Sequence, residues 1–537
     1  MTLPRSAADV LADHVSWELE CIDRVYLNVY MPKLMFPAGI DYFFRGHRGN
    51  LFTSSALMDP MTKGFVAGVH RFVTDHGLDL VHFAKDQRKD DVAQAYLAGH
   101  DGSERVLFVG RAQEKTSVFR TQKRRNPVTG KTYPWLVADT SMINHFYFYA
   151  FDDDFGPFFI KFASYFPYTA KVCLNGHHWA QRQAAKAGIA FEALDNGFLS
   201  CADPVRLQRM CGSLSAAKID AFVRKWLARL PHPFTPADRR AGYRYDISIL
   251  QAEFSLTQVL DRPLAGRVFF EEVIRENLDI GRPDQVSLVF DRRVHMGRRH
   301  RTPGRFRTRV ITEGVTPSLH IYYRRSKLKQ YHKEGRALRT EMTVNDTRDF
   351  GIGKRLMNLP ALRQVGFSAN RRLLDVQRIS HDPTRGADVF AAATDPVIVD
   401  GQRAAGLRFA DGRVQALLCT LVVFRLLPNG FTCRDLRDHL GPLLGVPPSS
   451  LTQGRTTYDL RRLRLHGLIE RIPHTHRYRV TDPGFHTALV LHRAYARLLR
   501  PALSAAADPT SPTALRRALQ QVDLAISDLL HASPPAA

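Results

Sequence analysis

The sequence predicts an α+β protein of several domains, with antiparallel sheets flanked by helices and a small, mainly helical module near the C-terminal end. Three observations carry this. The chain has 537 residues, which is too long for one hydrophobic core at roughly 100–200 residues per domain. Between residues 101 and 165, aromatic and β-branched runs are broken by Gly, Pro and Asp at hairpin spacing, which predicts antiparallel strands. Beyond residue 405 the apolar spacing becomes helical, with a single pair of short strands. A composition of 44% hydrophobic and 24% charged residues is that of folded protein and excludes collagen-like or globally disordered chains.

Taken in order, residues 1–100 read as mostly helical, with an Ala/Leu/Val pattern before Cys21 and a second helical segment closed by Gly77. The acids of KDQRKDDVAQAYLAGH sit where a helix dipole favours them, in a first turn. Residues 101–232 form an α+β domain. Its strands are ERVLFVGRA, TSVFRTQK, YPWLVAD, INHFYFYAF and GPFFIKFASYF, its hairpin turn falls at Asp152, Asp153 and Asp154, and its helices are HHWAQRQAAKAG, DPVRLQRMCGSL and AAKIDAFVRKWLARL. Residues 233–395 open with expected helices YRYDISILQAEFSLTQVLD and RVFFEEVIRENLDIG, and then turn to strands DQVSLVF, RFRTRVIT, SLHIYYRR and ALRTEMTVN. TDPVIVDGQRAAG reads as a linker to a module at 405–502, and 503–537 as a tail with one helix; no internal repeat is visible.

Charge is the strongest functional signal. The formal net charge is +24. From Asp291 to Thr340 there are 15 Lys or Arg against three acids, and from Gly430 to Arg500 there are 12 Arg against five acids, so these two stretches hold 19 of the excess charges. Two dense basic stretches predict a polyanion partner, and nucleic acid is the usual one because each neutralised phosphate releases condensed counterions. DNA is favoured over RNA. Alternation in RFRTRVIT puts Arg305, Arg307 and Arg309 on one strand face, a basic platform. No window nears the roughly 18–20 apolar residues of a membrane span, and the first residues lack a basic segment followed by an apolar one. The six Cys show no metal-ligand spacing, so a cytoplasmic protein with reduced thiols and no membrane partner is expected.

The module from Val414 to Arg500 runs helix, helix, helix, hairpin, helix. In TTYDLRRLRLHGLI, Leu460, Leu463 and Leu468 share a core stripe, leaving Arg455, Thr456, Thr457, Arg461, Arg462 and Arg464 to face outward or flank it. The hairpin HTHRYRVT adds His476, Arg477 and Arg479. This stretch resembles the winged helix-turn-helix domains of bacterial transcription regulators and mobile-element proteins. The resemblance implies that the TTYDLRRLRLHGLI helix enters the DNA major groove and that the hairpin contacts phosphates or the minor groove.

Residues 326–341, SKLKQYHKEGRALRTE, form a predicted hairpin presenting Lys327, Lys329, Lys333, Arg336 and Arg339 to phosphates. The K-x-Y-x-K strand followed by R-x-E is similar to a pattern in replication initiators of filamentous phages and plasmids. That resemblance implies a nicking tyrosine, here Tyr331, Tyr322 or Tyr323; the two-histidine metal motif of the wider rolling-circle group is absent, and HIYY offers only His320. The whole chain also resembles a group of uncharacterised bacterial proteins sharing NGHHWAQRQ, FEALDNGFLSC and TYDLRRLRL.

Carboxylates that hold Mg²⁺ or Mn²⁺ are what phosphodiester cleavage commonly needs. Asp91, with Glu114 and Lys115 at the end of a strand, resembles a variant of the restriction-endonuclease-like core, and Asp152 and Asp154 are a second candidate metal pair. No P-loop, dinucleotide fingerprint, nucleophile elbow or other cofactor motif occurs. The sequence thus predicts a DNA-binding protein with a C-terminal reader and a central basic platform. One alternative is a metal-dependent nuclease, nickase, recombinase or replication initiator of a mobile element or plasmid; a second is an RNA-binding protein.

Overall fold

In the computed structural model the described residues are 14–84, 87–194, 196–262, 307–311, 318–333, 336–379, 386–427 and 429–499, with isolated positions besides. They divide into two compact units, one ending at Arg371 and the other beginning at Arg372. The first is built on an eleven-stranded sheet of β1 (Val15–Tyr30), β2 (Leu80–His82), β3 (Arg105–Arg125), β4 (Thr132–Asp152), β5 (Gly156–Ala163), β6 (Ala170–Asn175), β9 (Asp246–Leu260), β10 (Arg307–Ile311), β11 (Ser318–Tyr323), β12 (Ser326–Lys333) and β13 (Ala337–Val344). A separate hairpin, β7 (Phe191–Leu194) with β8 (Gly197–Cys201), interrupts the chain between β6 and β9.

The strand order is β10-β11-β12-β13-β9-β1-β6-β5-β4-β3-β2. It contains a repeat. In each half a leading strand (β1 or β9) is followed by a four-strand meander (β3 to β6 or β10 to β13) whose last strand returns beside the leader, and the two leaders pair antiparallel at the centre. Only the short edge strand β2 is parallel to its neighbour. The sequence conceals this repeat because the halves share an order of strands and not a string of residues.

Strands from all three of the expected segments 1–100, 101–232 and 233–395 lie in this sheet, so they share one unit. Two elements differ in type from expectation. The segment around Cys21 and the segment DISILQAEFSLTQVL form β1 and β9, where helices were expected. Both alternate apolar with polar residues, as in Trp17, Leu19 and Cys21 or Ala252, Phe254 and Leu256, but register shifts break the phase of that alternation at Ile22–Arg24 in β1 and at Ile249–Gln251 in β9, which weakens the two-residue period that marks a strand. Two strand pairs merge into the single 21-residue strands β3 and β4. Expected RVFFEEVIRENLDIG apart from Phe269, DQVSLVF and Arg305 lie outside the described residues, as does nearly all of the tail.

Side-chain alternation gives the sheet one apolar face. Leu27, Val172, Ile160, Phe148, Phe254 and Met342 are buried on it. Helix α1 (Met58–Asp75) covers one half, with Phe65 against Phe146 and Phe162 and Phe72 against Phe148. The other face meets α2 (Lys89–Ala98), whose first turn holds Asp90 and Asp91, and α3 (Gly176–Lys186); α4 (Pro204–Ser213) and α5 (Ala216–Arg229) follow. Helix α6 (Leu359–Ile379) covers the apolar face of the second half through Phe367 on Phe254, and its Asn370 side chain donates to the Phe254 carbonyl at 2.9 Å.

The second unit contains a short hairpin of β14 (Val397–Val399) and β15 (Gln402–Ala404) where a linker was expected. Then come α7 (Gly412–Phe424), α8 (Cys433–Leu443), α9 (Gln453–Leu465), the hairpin β16 (Ile469–Arg471) with β17 (Tyr478–Val480), and α10 (Asp482–Arg493). Thr432 caps α8 in a reciprocal box with Asp435. Among the described residues no helix is long and apolar enough to cross a membrane.

Gly366 sets how closely α6 approaches the sheet: a Cβ there would overlap the Phe254 ring and lie 2.8 Å from its Cβ. Gly366→Ala gains roughly 1 kcal/mol of helix propensity, but the overlap costs roughly 1–3 kcal/mol. Net destabilisation in urea unfolding is the expected result; a more stable variant would mean that α6 can lift off the sheet without penalty.

Candidate functional site

On the polar face, strand β1 is interrupted. Ile22 pairs with Phe254 and Arg24 with Glu253, so Asp23 is an extra residue in a β-bulge that turns both Asp23 and Arg24 toward this face. Asp23 is 2% exposed. Its carboxylate accepts from Arg339 Nη2 at 2.6 Å and from the Asn196 side-chain amide. Arg339, on β13, is completely buried; its other donors reach the Asn196 carbonyl at 2.6 Å and His177 Nε2 at 3.0 Å, while Nε lies 2.7 Å from Glu341. Tyr331 O–H donates to the same Glu341 carboxylate at 2.8 Å, and Lys329 Nζ sits 4.0 Å over the Tyr331 ring.

Local structure explains how these side chains meet. Asn175 ends β6 and caps α3, accepting from the His177 N–H at 2.8 Å, and its amide donates to Asn196 Oδ1 at 2.6 Å. Gly176 begins the helix so close to β1 that any Cβ would collide with the Ile22 carbonyl, beside the bulge. Asn196 turns the β7–β8 hairpin in the left-handed region, at φ 53°, which Asn tolerates better than most residues. His177 is fully buried, and because Arg339 donates to its Nε2, its ring proton belongs on Nδ1.

The charges in this cluster are balanced by burial and by one another. Burial pushes the Asp23 carboxyl up, but the Arg339 charge and the hydrogen bonds from Arg339 and Asn196 outweigh it and bring it down to about 2. Tyr331 is pushed well above the ordinary phenol range by burial and then by the Glu341 charge. A neutral phenol locked to a carboxylate is a poor nucleophile in this state.

A second group lies further along the same face. Glu114 accepts from Lys161 at 2.7 Å, from Lys89 at 2.9 Å and from the Tyr147 hydroxyl. Burial opposes its charge, but Lys161 and these hydrogen bonds hold its carboxyl far below the usual range. Burial lowers Lys161 in turn, against the pull of Glu114.

The structure separates several residues that the sequence grouped. Lys115 is exposed and alternates with Glu114 to the opposite side of β3, while Asp91 is exposed on α2 and it is Lys89 that reaches Glu114. Asp152 is buried and accepts from Trp226 Nε1 at 2.7 Å and Lys225 at 2.8 Å, whereas Asp154 is exposed and pairs with Lys186 at 2.6 Å. The two carboxylates therefore brace different helices. Among the described residues no group of three or more His, Cys, Asp or Glu is arranged to hold a metal ion.

The basic residues also sort themselves by burial. Lys327 and Lys329 are half-buried and Arg336 is exposed, but Lys333 is buried and Arg339 is a core ion-pair partner, which corrects the expectation that it faces phosphate. Arg307 and Arg309 lie on β10 opposite Tyr322 and His320. In the second unit Leu460, Leu463 and Leu468 are buried as their spacing predicts, and Arg455, Thr457, Arg461, Arg464, His476 and Arg479 are exposed. Thr456, expected outward, is buried with its hydroxyl donating to the Thr452 carbonyl at 3.0 Å. Arg462 holds the carbonyls of Ala405 and Gly406, and Arg477 those of Asn429 and Gly430 at 2.7 and 2.9 Å, so both brace loops.

Asp23, His177, Asn196 and Glu341 were not singled out as site residues. The available signals were a carboxylate inside the apolar run CIDRVYL and the Asn196-Gly197 turn, each of which also has commonplace explanations.

Replacing one partner of the central pair leaves the other buried and uncompensated. Asp23→Asn or Arg339→Met is expected to cost roughly 3–5 kcal/mol in denaturant unfolding, and the double replacement Asp23→Leu with Arg339→Met less than either single change. Because the folded carboxyl is depressed, its contribution is fully present above about pH 4 and is lost as pH falls through about 2; in Asp23→Asn that part of the acid sensitivity disappears. Additive single costs in the double variant would show that the two side chains do not depend on each other.

A scan against protein-family models finds none that matches this chain, and searches of the curated proteins and of the solved structures find no match either.

Proposed function

We propose that the protein binds nucleic acid, double-stranded DNA in the first instance, through a winged helix formed by α7, α8, α9, the β16–β17 hairpin and α10, with α9 as the reading helix. The observation that carries this is how the module uses its acids. Asp435 closes the α8 cap, Asp459 is buried against Arg413 at 2.5 Å, Asp482 pairs with Arg425, Glu470 pairs with Arg479, and Asp438 lies 4.0 Å from Arg434. Every acid from Gly430 to Arg500 is thereby engaged. Arg455, Arg461 and Arg464 stand exposed on α9 with no carboxylate partner among the described residues, beside exposed Thr457 and Tyr458.

The backbone supports the same reading. Phe431, just before α8, exchanges both hydrogen bonds with Tyr478 of β17 at 2.8 Å, an isolated bridge that ties the start of α8 to the hairpin, as suits a winged arrangement. Gly430 permits it, since a Cβ there would collide with the Tyr478 carbonyl. A helix with three exposed Arg that no carboxylate neutralises matches a groove lined by phosphates and guanine edges.

Arg461→Ala with Arg464→Ala is expected to weaken duplex binding by roughly 1–3 kcal/mol for each base edge no longer read, and to reduce the salt slope by about 0.9 for each phosphate no longer neutralised. The melting transition should stay near that of the unmodified protein, because both side chains are exposed and Arg461 gives up only a 3.3 Å hydrogen bond to the Arg403 carbonyl. Gel shift and fluorescence anisotropy at several salt concentrations read both effects, and unchanged affinity and slope would remove α9 from the reading role.

A further inference from the structure

The polar face of the large sheet carries cations that the sheet does not neutralise. Arg24 on β1 is exposed, and Lys171 on β6 and Lys327 and Lys329 on β12 are half-buried; none of the four makes an ion pair among the described residues. Burial disfavours the charge of Lys171, with Glu114 offsetting it in part, and burial likewise lowers Lys329 against the pull of Glu341. An arriving anion would relieve both.

Aromatic rings lie between and beside these cations. Tyr26 occupies the next position on the same face as Arg24, half-buried, with Lys171 Nζ 5.8 Å from its ring centre. Phe159 lies 6.4 Å from Tyr26 and 5.4 Å from Tyr149, so the rings form a cross-strand row. Glu253, beside Arg24, is pushed upward by burial, so this acid opposes an incoming anion less than an exposed carboxylate would. From β6 to β12 the face spans four strand spacings, on the order of 19 Å.

We propose that this face binds a single strand of nucleic acid, with phosphates on Arg24, Lys171 and Lys327 and bases against Tyr26 and Phe159. Cations alternating with partly open rings suit a strand whose base faces are free, because stacking tolerates any base while the lysines follow the backbone. A duplex hides its base faces and would leave the rings unused. This surface belongs to the sheet unit and does not rest on the assignment of α9.

The test uses the full-length protein with fluorescein-labelled oligothymidylate, oligouridylate and a duplex, titrated at several salt concentrations. Lys171→Ala with Lys327→Ala should lower the single-strand salt slope by about 1.4, at about 0.7 per phosphate. Tyr26→Ala should weaken single-strand binding roughly 5-fold to 150-fold, the equivalent of one base left unstacked; Tyr26→Phe, which keeps the ring, should bind as the parent does and guards against a folding defect. Duplex affinity should be unaffected by all three, and Arg461→Ala with Arg464→Ala should leave single-strand affinity intact. The contrast between the two oligonucleotides distinguishes DNA from RNA. No single-strand binding by the parent protein, an unchanged slope in the lysine variant, or Tyr26→Ala binding as tightly as Tyr26→Phe would each overturn the proposal.

Discussion

The large sheet depends on one buried ion pair. Asp23 comes from the leading strand of the first half and Arg339 from the last strand of the second, and 2.6 Å separates their interacting atoms. Two charges withdrawn from water repay their desolvation only when geometry is good and the remaining donors and acceptors are filled. Here the bulge supplies Asp23, the left-handed turn supplies Asn196, and the capped start of α3 supplies His177. The bulge, the turn and the helix cap thus each contribute a group that helps satisfy the pair.

That arrangement also accounts for how two similar half-sheets form one unit. The leaders β1 and β9 pair along their length, yet backbone pairing alone would leave the polar face indifferent to register. Arg339 removes that freedom because it reaches across β9 to Asp23 and along β13 to Glu341. A slip of β13 by one residue would carry Arg339 to the apolar face beside Phe254 and turn Met342 to the polar one. Register and charge pairing therefore enforce each other.

How much of this was legible in the sequence varied with how locally each feature is determined. The Asp152 turn, the dipole-favoured acids of α2 and the leucine stripe of α9 are set by neighbours within a few residues, and their sequence signals were sufficient. Strands β1 and β9 do alternate, but each changes phase at a register shift, near Asp23 and near Leu250, and no local rule announces where a strand bulges. The Asp23 cluster was out of reach for a different reason. Asp23 and Arg339 are 316 residues apart, and no spacing rule connects a bulge in one strand with an arginine in another.

The same limit applies to charge. Counting basic residues treats every Arg as a potential phosphate ligand, but the structure divides them by what their donors already hold. Arg339 and Arg413 are consumed by buried carboxylates, Arg462 and Arg477 by loop carbonyls, and Arg425 by Asp482 together with the Val480 carbonyl. A guanidinium so engaged must give up those bonds before it can meet a phosphate, and in the buried cases it would leave a carboxylate alone in the core. What governs affinity for a polyanion is therefore the smaller set that is exposed and unpaired, such as Arg455 and Arg464 on α9 and Arg24 on the sheet. The formal charge of +24 only counts cations, while the hydrogen bonds determine which of them are free to touch an anion.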